Sequence, residues 1–274
     1  MSSSAVSIVI PTFNRAVYLK QCIEAAISQT YNCEIVVVDH GSTDNTPEIA
    51  KSFGNRINYI RREHDSGVHF SWLDGVISAK GEFVHINYDD DWIEPEYIEK
   101  CMLLMDSETG YVFSNTRLYN DITKEYSEPI FSVYGKTGTF SIKKMKTLAQ
   151  NGLISPGCIL MRRSDLLDAL FVGAIPYAKF HYKGVGADLL FTLMPILKYK
   201  KAGFVEEALA VFRVHESSIT VNALNDQDRT IKLNKAYDEA RHYYWLSVFV
   251  KRFKIMSFVS FYLKVRRKIN SIKK

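Results

Sequence analysis

Three consecutive carboxylates, Asp89, Asp90 and Asp91, follow a segment (residues 82–87, EFVHIN) whose composition predicts a buried β-strand. Like charges placed this close repel one another, so the cluster needs a physical reason. Mg²⁺ and Mn²⁺ take one or two protein carboxylates and complete their shell with water and substrate phosphates. The alternative is a solvated acidic turn without chemistry. The position of the cluster directly after a buried strand favours the cation site.

Three loops are expected to meet at this point. Apolar runs predict strands over 6–10, 34–38, 57–60 and 82–87, and helical periodicity predicts helices over about 15–29 and 67–80. Strands that alternate with helices at this spacing form a Rossmann-like, mostly parallel α/β sheet flanked by helices. Ligands of such sheets bind beyond the carboxyl ends of the strands. The loops that leave those ends are Pro11–Arg15, Asp39–Asp44 and Tyr88–Asp91.

Local details of these elements are predicted less directly. Asn14 is expected to cap the first helix, and Leu73, Val76 and Ile77 are expected to face inward from the helix over 67–80. After about residue 110 the pattern weakens, although strands are predicted over 111–120, 128–135 and 207–215. A short helix is predicted over 141–152, and the chain reads as helical from about 228 onward.

The charge is divided unevenly along the 274 residues, whose net charge is +5. Residues 251–274 hold nine Lys and Arg and no acidic residue, which leaves 26 basic and 30 acidic residues, or −4, for residues 1–250. A mildly acidic body argues against a nucleic-acid binder. No secretory signal, membrane-spanning run or CxxC pair is visible, so we expect a cytoplasmic protein with reduced cysteines.

The basic tail interleaves aromatic residues with Lys and Arg. Such a helix lies well in an anionic membrane interface, so residues 243–274 are predicted to bind an anionic membrane surface. The protein would then be peripheral on the inner face of the cell membrane. In the alternative, the tail packs on the body or on a second copy of the chain, which would make a homodimer.

Two long segments resemble family-2 glycosyltransferases of the GT-A fold. They are VSIVIPTFNRAVYLKQCIEAAISQTYNCEIVVVDHGSTDNT (6–46) and HDSGVHFSWLDGVISAKGEFVHINYDDDW (64–92). The resemblance is dense over about residues 5–100 and sparser to about 220. It implies one GT-A domain: residues 1–115 bind the nucleotide sugar, 116–225 form the acceptor-binding and catalytic half, and 226–274 form the helical basic tail.

The resemblance also implies roles for residues at the strand ends. His40 stands where the family usually has a second carboxylate, after an acid that contacts the base or ribose. Residues implied to bind the nucleotide are Pro11, Thr12, Phe13, Arg15, Asp39, Asp89 and Asp90.

The implied metal ion is Mn²⁺ or Mg²⁺. The DxD spacing of the family matches Asp89-x-Asp91, whereas alignment on Trp92 puts Tyr88 where the first acid often stands. We take Asp91 as the first choice of ligand, with Asp89 beside it, and His215 of the late Arg-x-His stretch as a further ligand.

The implied catalytic base is an acidic residue at the start of a helix. Asp188 in GVGADLLFTL occupies that position, although Ala187 replaces an acid that often precedes it. One carboxylate is enough for single displacement with inversion. In the alternative, Asp188 only caps its helix. Weaker expectations place Arg213 at phosphate and Ser155 and Gly157 near the acceptor.

Together these features predict an inverting, metal-dependent glycosyltransferase. It would move a sugar from a nucleoside-diphosphate donor to a hydroxyl of a lipid-linked or growing surface glycan. UDP is the default donor nucleotide, with dTDP and GDP as alternatives. A sugar nucleotidyltransferase is a second class, but its Gly-rich, Lys-containing phosphate loop is missing from PTFNRA. The non-enzymatic alternative is an inactive, membrane-associated assembly partner.

Overall fold

The computed structural model describes residues 4–142, 154–171, 173–180, 182, 185–215 and 226–272. Its first half is a parallel α/β unit, as the alternation of apolar runs and helical patterns predicts. The first strand pairs in parallel with the second and the fourth, and the second pairs with the third. The elements are β1 (Val6–Thr12), α1 (Ala16–Ile27), β2 (Cys33–Asp39), α2 (Thr46–Ser52), β3 (Asn58–Arg61), α3 (Val68–Ser78) and β4 (Phe83–Ile86).

The same sheet continues into the second half of the chain. The further elements are β5 (Trp92–Ile93), α4 (Tyr97–Leu103), β6 (Thr109–Asn120), β7 (Gly138–Ser141), β8 (Ile159–Arg162), α5 (Arg163–Ala169), α6 (Ala187–Leu193) and β9 (Lys201–Val214). Among the described residues the sheet has nine strands in the order β3-β2-β1-β4-β8-β6-β9-β5, and β7 pairs with β9. The pair β6 and β9 is parallel, whereas β8 is antiparallel to both β4 and β6.

Helices cover both faces of this sheet, so its central strands are buried. Every residue of β1 is buried, and its Ile8, Val9 and Ile10 are 0% exposed. This burial explains why the strand is mostly apolar, with only Ser7 and Thr12 polar, and shows no regular alternation. The α/β fold with helices on the sheet confirms the predicted fold class.

The tail consists of two helices, α7 (Gln227–Arg252) and α8 (Ile255–Ile272). Asp226 caps α7 by accepting hydrogen bonds from the backbone N–H groups of Asp228 and Arg229. One face of α7 is buried against the rest of the protein, and it consists of Ala236, Ala240 and Tyr244. Within the described ranges, no helix combines the length and apolar character needed to cross a membrane.

Three local predictions are wrong, each because a tertiary contact outweighs the local pattern. Asn14 does not cap α1: it has φ +52°, and its side chain accepts a hydrogen bond from the Thr43 N–H in the next loop. Ile77 is 60% exposed. Residues 128–135 form no strand, because a 3₁₀ turn at Ser132–Tyr134 places Tyr134 among buried aromatic rings. Most of the helix predicted over 141–152 lies outside the described residues.

Gly75 explains the actual buried face of α3. That face consists of Ser71, Trp72, Gly75 and Val76, and at Gly75 the helix lies very close to β1 and β2. A Cβ atom at Gly75 would lie 2.2 Å from Val9 Cγ1 and 3.2 Å from Val38 Cγ2. Both valines lie on buried strands and are stiff at χ1, so they cannot move aside easily.

We predict that Gly75→Ala lowers the free energy of unfolding by about 1–3 kcal/mol, because overpacking outweighs the gain in helix propensity. Chemical denaturation measures the change. Gly138→Ala is the matched control, since no atom lies within 4 Å of its added Cβ. Equal stability of the Gly75 variant and the wild-type protein would show that α3 does not sit this close to β1.

Candidate active site

The three predicted loops meet at the carboxyl ends of β1, β2 and β4. The Phe13 N–H donates to Asp89 Oδ2 at 3.3 Å, which joins the first loop to the acidic one. The Asn14 N–H donates to Ser42 Oγ at 2.9 Å and the Arg15 N–H donates to Thr46 Oγ1 at 3.0 Å, which joins the first loop to the second. The convergence predicted from the strand order is therefore confirmed.

Pro11 and Thr12 form the buried end of β1 beside Asp39. Thr12 pairs with Asp39 in the ladder, and the Thr12 carbonyl accepts a hydrogen bond from the His40 N–H at 3.1 Å. The Asp39 side chain is fully buried, and its Oδ1 accepts from the N–H groups of Gly41 and Ser42 at 3.1 and 2.8 Å. This carboxylate fixes the turn that follows β2.

The second oxygen of Asp39 also has partners within the protein. Tyr59 donates its hydroxyl to Asp39 Oδ2 at 2.7 Å, and Arg61 Nε lies 3.4 Å from the same oxygen. Burial, and then the hydrogen bond to Asp39, raise the pKa of Tyr59, so the phenol remains a proton donor. Contact between Asp39 and a nucleotide stays a prediction, and its observed role is to hold the loop.

The sequence did not predict an aromatic pair in this region. The rings of Phe13 and His40 stack with centroids 4.9 Å apart and planes 23° apart. His40 Nδ1 lies 2.8 Å from Asp65 Oδ1, so the acid of the segment after β3 fixes the orientation of the imidazole. The only sequence signal was that His40 replaces a carboxylate that is usual in the family.

The acidic triplet is divided into two buried carboxylates and one more accessible one. Asp89 and Asp91 are each 9% exposed as residues, whereas the side chain of Asp90 is 20% exposed. Burial, followed by the charge of Asp90, raises the pKa of Asp89 to about 7 and raises the pKa of Asp91 well above its usual value of 3.8. Burial and mutual repulsion therefore make the ionised forms of Asp89 and Asp91 less favourable in the folded chain.

Backbone N–H groups and basic side chains offset part of this cost. Arg15 Nε lies 3.7 Å from Asp89 Oδ1. The Arg213 N–H donates to Asp91 Oδ1 at 2.8 Å. His215 Nε2 lies 2.9 Å from Asp90 Oδ2, and the imidazole ring tilts against Tyr18 at 4.9 Å. The structure thus pairs His215 with Asp90, whereas the sequence suggested that His215 would join Asp89 and Asp91.

The donor set at this point suits a hard or borderline divalent cation. Carboxylate oxygen and neutral imidazole nitrogen are both ligands for Mn²⁺, and a bound cation would offset the mutual repulsion of the three carboxylates. No group of three or more His, Cys, Asp or Glu side chains in the described part of the chain is arranged as a complete metal site. A site with few protein ligands leaves positions for water and phosphate oxygens.

Arg213 was expected near phosphate, but its guanidinium donates to protein atoms. Nε donates to the Asp90 carbonyl at 3.0 Å, Nη1 donates to Asp121 Oδ1 at 2.8 Å, and Nη2 donates to Gln21 Oε1 at 2.5 Å. The side chain is 7% exposed. In this structure Arg213 supports the acidic loop and does not project from it.

Asp188 lies at the start of α6, as predicted. Its Oδ1 accepts hydrogen bonds from the N–H groups of Gly186 and Leu189, both at 3.0 Å, so it also stabilises the start of the helix. Burial raises its pKa from 3.8 to about 6. The residue is half-buried, and its charge raises the pKa values of Tyr88 in the acidic loop and of Tyr237 on α7, after burial in each case.

Tyr88 links Asp188 with the acidic triplet. After burial and the charge of Asp188, Tyr237, Asp91 and Asp90 also raise the pKa of Tyr88, so the tyrosine lies within electrostatic range of both sides. In the sequence, Tyr88 stands out only because alignment on Trp92 puts it where the family often has an acid. Its electrostatic contact with both Asp188 and the triplet could not be predicted from spacing alone.

Ser155 and Gly157 lie beside this tyrosine, in the 3₁₀ turn that leads into β8. Ser155 Oγ accepts a hydrogen bond from the Gly157 N–H at 3.3 Å. A Cβ atom at Gly157 would lie 3.0 Å from Phe212 Cε1 and 3.3 Å from Tyr88 Cδ2. Gly157 therefore leaves room for Tyr88, and Ser155 stabilises the turn through its hydrogen bond. Contact of either residue with an acceptor stays a prediction.

The fold that carries these loops is that of the GT-A glycosyltransferases. TarS 1–349 of S. aureus in complex with UDP-GlcNAc matches with a TM-score of 0.63 and 19% identity, covering 88% of this chain and 72% of that chain. The mannosyltransferase PcManGT of Pyrobaculum calidifontis, in complex with GDP-Man and Mn²⁺, matches with a TM-score of 0.54 and 16% identity, covering 89% and 74%. At these identities the likeness shows the fold alone.

The chain belongs to glycosyltransferase family 2, whose model (Glycosyl transferase family 2) matches residues 7–171. An uncharacterized glycosyltransferase of Rickettsia typhi is 30% identical over 81% of this chain and 68% of its own length. The glycosyltransferase EpsH of Bacillus subtilis, itself named as putative, is 33% identical over 49% of this chain. Chondroitin synthase of Pasteurella multocida is also 33% identical, over 46% of this chain. These matches span only 40% of the Bacillus protein and 14% of the Pasteurella protein.

Proposed function

We propose that the chain transfers a sugar from a UDP-sugar, with inversion, to a hydroxyl of a lipid-linked or growing surface glycan. The observation that carries the proposal is the relation between Asp188 and the acidic loop. Burial raises the pKa of this half-buried carboxylate to about 6, and its charge, like those of Asp90 and Asp91, acts on the pKa of Tyr88, so Asp188 lies within electrostatic range of the acidic loop. One base and one place for a diphosphate are what a single displacement at a sugar carbon requires.

The loops at the ends of β1 and β2 are proposed to bind the nucleotide. The residues assigned to this role are Pro11, Thr12, Phe13, Arg15, Asp39, Asp89 and Asp90. Complexes of TarS with UDP and UDP-GlcNAc support the choice of uridine. The stacked rings of Phe13 and His40 offer a flat apolar face close to this region.

We propose that Asp90 and His215 hold the divalent ion, and that Asp91 and Asp89 complete its negative surroundings. The 2.9 Å separation of Asp90 Oδ2 and His215 Nε2 places two suitable donors side by side. Asp91 Oδ1 already accepts a hydrogen bond from the Arg213 N–H, so Asp90 replaces Asp91 as the first choice. When bound, Mn²⁺ or Mg²⁺ would neutralise charge on the departing diphosphate.

Asp188 is proposed to accept the proton of the acceptor hydroxyl. Its N–H partners at the start of α6 hold the carboxylate in place, and the helix amino terminus favours its ionised form. Burial acts in the opposite direction and raises the proton affinity. A base whose pKa lies just below neutral pH is both ionised and reasonably strong, which suits general-base catalysis.

The acceptor class and the tail are connected in this proposal. Curated relatives in Pasteurella multocida are named chondroitin synthase and hyaluronan synthase, which supports a polysaccharide product. Aromatic and aliphatic side chains along α7 and α8 are exposed, including Trp245, Phe249, Phe258 and Phe261. With the nine Lys and Arg of residues 251–274, they favour binding to an anionic membrane on which a lipid-linked acceptor is carried.

Metal-dependent nucleotide binding is the first test. We predict that UDP raises the melting temperature of the wild-type protein only when Mn²⁺ is present, and that Asp90→Ala, Asp91→Ala and His215→Gln each weaken this response. Asp228→Asn on the exposed surface of α7 is the control. An equal response to UDP with EDTA, or no response at all, would contradict the proposed site and favour an inactive assembly partner.

The role of Asp188 is tested by pH and by substitution. We predict that Asp188→Asn binds UDP normally but transfers sugar at least about 10²-fold more slowly, because the neutral amide cannot accept the proton. A raised pKa moves the loss of ionised base to higher pH, so wild-type kcat should fall about tenfold for each pH unit below about 6. Normal turnover by Asp188→Asn, or a flat profile down to pH 5, would remove Asp188 from this role.

Membrane binding is tested with vesicles. We predict that the protein sediments with vesicles containing phosphatidylserine and not with phosphatidylcholine alone, and that added salt releases it. The double variant Phe258→Glu/Phe261→Glu should bind at least about tenfold more weakly, because both exposed rings lose their apolar contact. Leu103→Glu, an equally exposed position on α4, is the control. Unchanged binding of the double variant, or a wild-type dimer dissociated by the same change, would instead assign the tail to other contacts.

A further inference from the structure

The side chain of Arg213 is an unusually well partnered cation at the end of β9. Its three guanidinium nitrogens donate in three directions: to the Asp90 carbonyl, to Asp121 and to Gln21. The side chain is 7% exposed, so water contributes little to its solvation. A charge in that position needs nearly all its hydrogen bonds from the protein.

Aromatic rings supply the remaining surroundings of this cation. The guanidinium carbon lies 4.8 Å from the ring centroid of Tyr18, 5.0 Å from that of Trp92 and 5.5 Å from that of Tyr119. Tyr18 also donates its hydroxyl to Asp121 Oδ2 at 3.3 Å. Rings on several sides fix the plane of the guanidinium, whose directional fork a lysine ammonium cannot reproduce.

The contacts of Arg213 bind together four separate parts of the chain. Gln21 belongs to α1, Asp121 follows β6, Asp90 belongs to the acidic loop, and Arg213 itself ends β9. The loop is held twice, because the Arg213 N–H donates to Asp91 Oδ1 and its Nε donates to the Asp90 carbonyl. Both the main chain and one carboxylate of the loop are therefore fixed from β9.

We call the hydrogen bonds from Arg213 to Asp90, Asp91, Asp121 and Gln21 the clamp. The clamp also determines where the Asp90 side chain points. His215 lies two residues beyond Arg213 on the same segment, and its Nε2 is 2.9 Å from Asp90 Oδ2. Because Arg213 fixes the Asp90 carbonyl, the distance between the Asp90 carboxylate and His215 depends on the guanidinium remaining in place. Loss of the fork would let the repelling carboxylates move apart.

We propose that Arg213 is a positioning residue: it holds the 88–92 loop in the one conformation that keeps Asp90 and His215 together, and it does not bind substrate phosphate itself. The consequence for metal and nucleotide binding rests on the function proposed above. The clamp itself does not, since it follows from contacts within the chain. The two claims can therefore fail separately.

Hydrogen–deuterium exchange tests the clamp without any ligand. Arg213→Lys keeps the charge and loses the fork, so peptides that cover residues 88–92 should exchange at least about tenfold faster than in the wild-type protein. Arg162→Lys is the matched control, because Arg162 also donates to backbone carbonyls, those of Thr109 and Asp106, and contacts the Phe83 and Tyr199 rings away from the loop. Unchanged exchange over 88–92 in Arg213→Lys would overturn the proposal.

Binding of Mn²⁺ alone, followed by the electron paramagnetic resonance of the free ion, separates positioning from phosphate contact. We expect Arg213→Lys to weaken Mn²⁺ binding at least about tenfold, although Arg213 carries no ligand atom for a cation. Asp121→Asn should weaken it less, and the double variant should be no worse than Arg213→Lys, since both changes release the same clamp. Normal Mn²⁺ affinity combined with weaker UDP binding in Arg213→Lys would show a phosphate contact and overturn the proposal.

The wild-type protein distinguishes this inference from the proposed function. If it binds no Mn²⁺ while Arg213→Lys still loosens the 88–92 loop, the metal-dependent function fails and the clamp stands. If it binds Mn²⁺ and Arg213→Lys changes neither exchange nor affinity, the clamp fails and the function stands.

Discussion

Mutual repulsion among Asp89, Asp90 and Asp91 is the constraint around which the site is built. Two unit charges about 5 Å apart repel by about 3 kcal/mol at an effective dielectric constant of 20, which is a large part of the stability of a typical domain. Burial, and then the charge of Asp90, raise the pKa values of Asp89 and Asp91, so the folded chain bears a desolvation cost in addition to this repulsion. A cluster of this kind persists only where other groups hold it and where its charge has a use.

The groups that hold the three carboxylates come from both halves of the sheet. The loop after β1 contributes the Phe13 N–H and Arg15, and the end of β9 contributes Arg213 and His215. Because β1 and β9 lie in different halves of one continuous sheet, the acidic loop is sensitive to the whole fold. The sheet brings these partners, which are distant in the sequence, close to the acidic loop that follows β4.

The parallel half of the fold could be read from the sequence because its signals are local. Fully apolar runs bounded by turn residues mark β1, β2 and β4, and the strand order then follows from βαβ rules. The errors occurred where a contact with another element decides the outcome. Gly75 allows α3 to lie close to β1, and buried aromatic rings surround Tyr134 in a turn where the composition suggested a strand.

The residues of the candidate site could also be predicted from the sequence, but not which of them contact one another. The types and spacing of Asp39, Asp89–Asp91, Asp188 and His215 identified the loops that matter. Which carboxylate meets His215, and whether Arg213 points outward or inward, depends on side-chain directions at the ends of β4 and β9. Arg213 is held inward by Gln21 and Asp121, which lie far away in the sequence and carry no motif.

On the proposed function, the acidic loop and His215 form one cation site for a nucleoside diphosphate. The decisive measurement is a crystal structure grown with Mn²⁺ and UDP, with anomalous diffraction recorded for manganese. We expect an anomalous peak within coordination distance of Asp90, His215 and the diphosphate. Clear density for UDP without manganese at that place, or a loop left unchanged by both ligands, would contradict it.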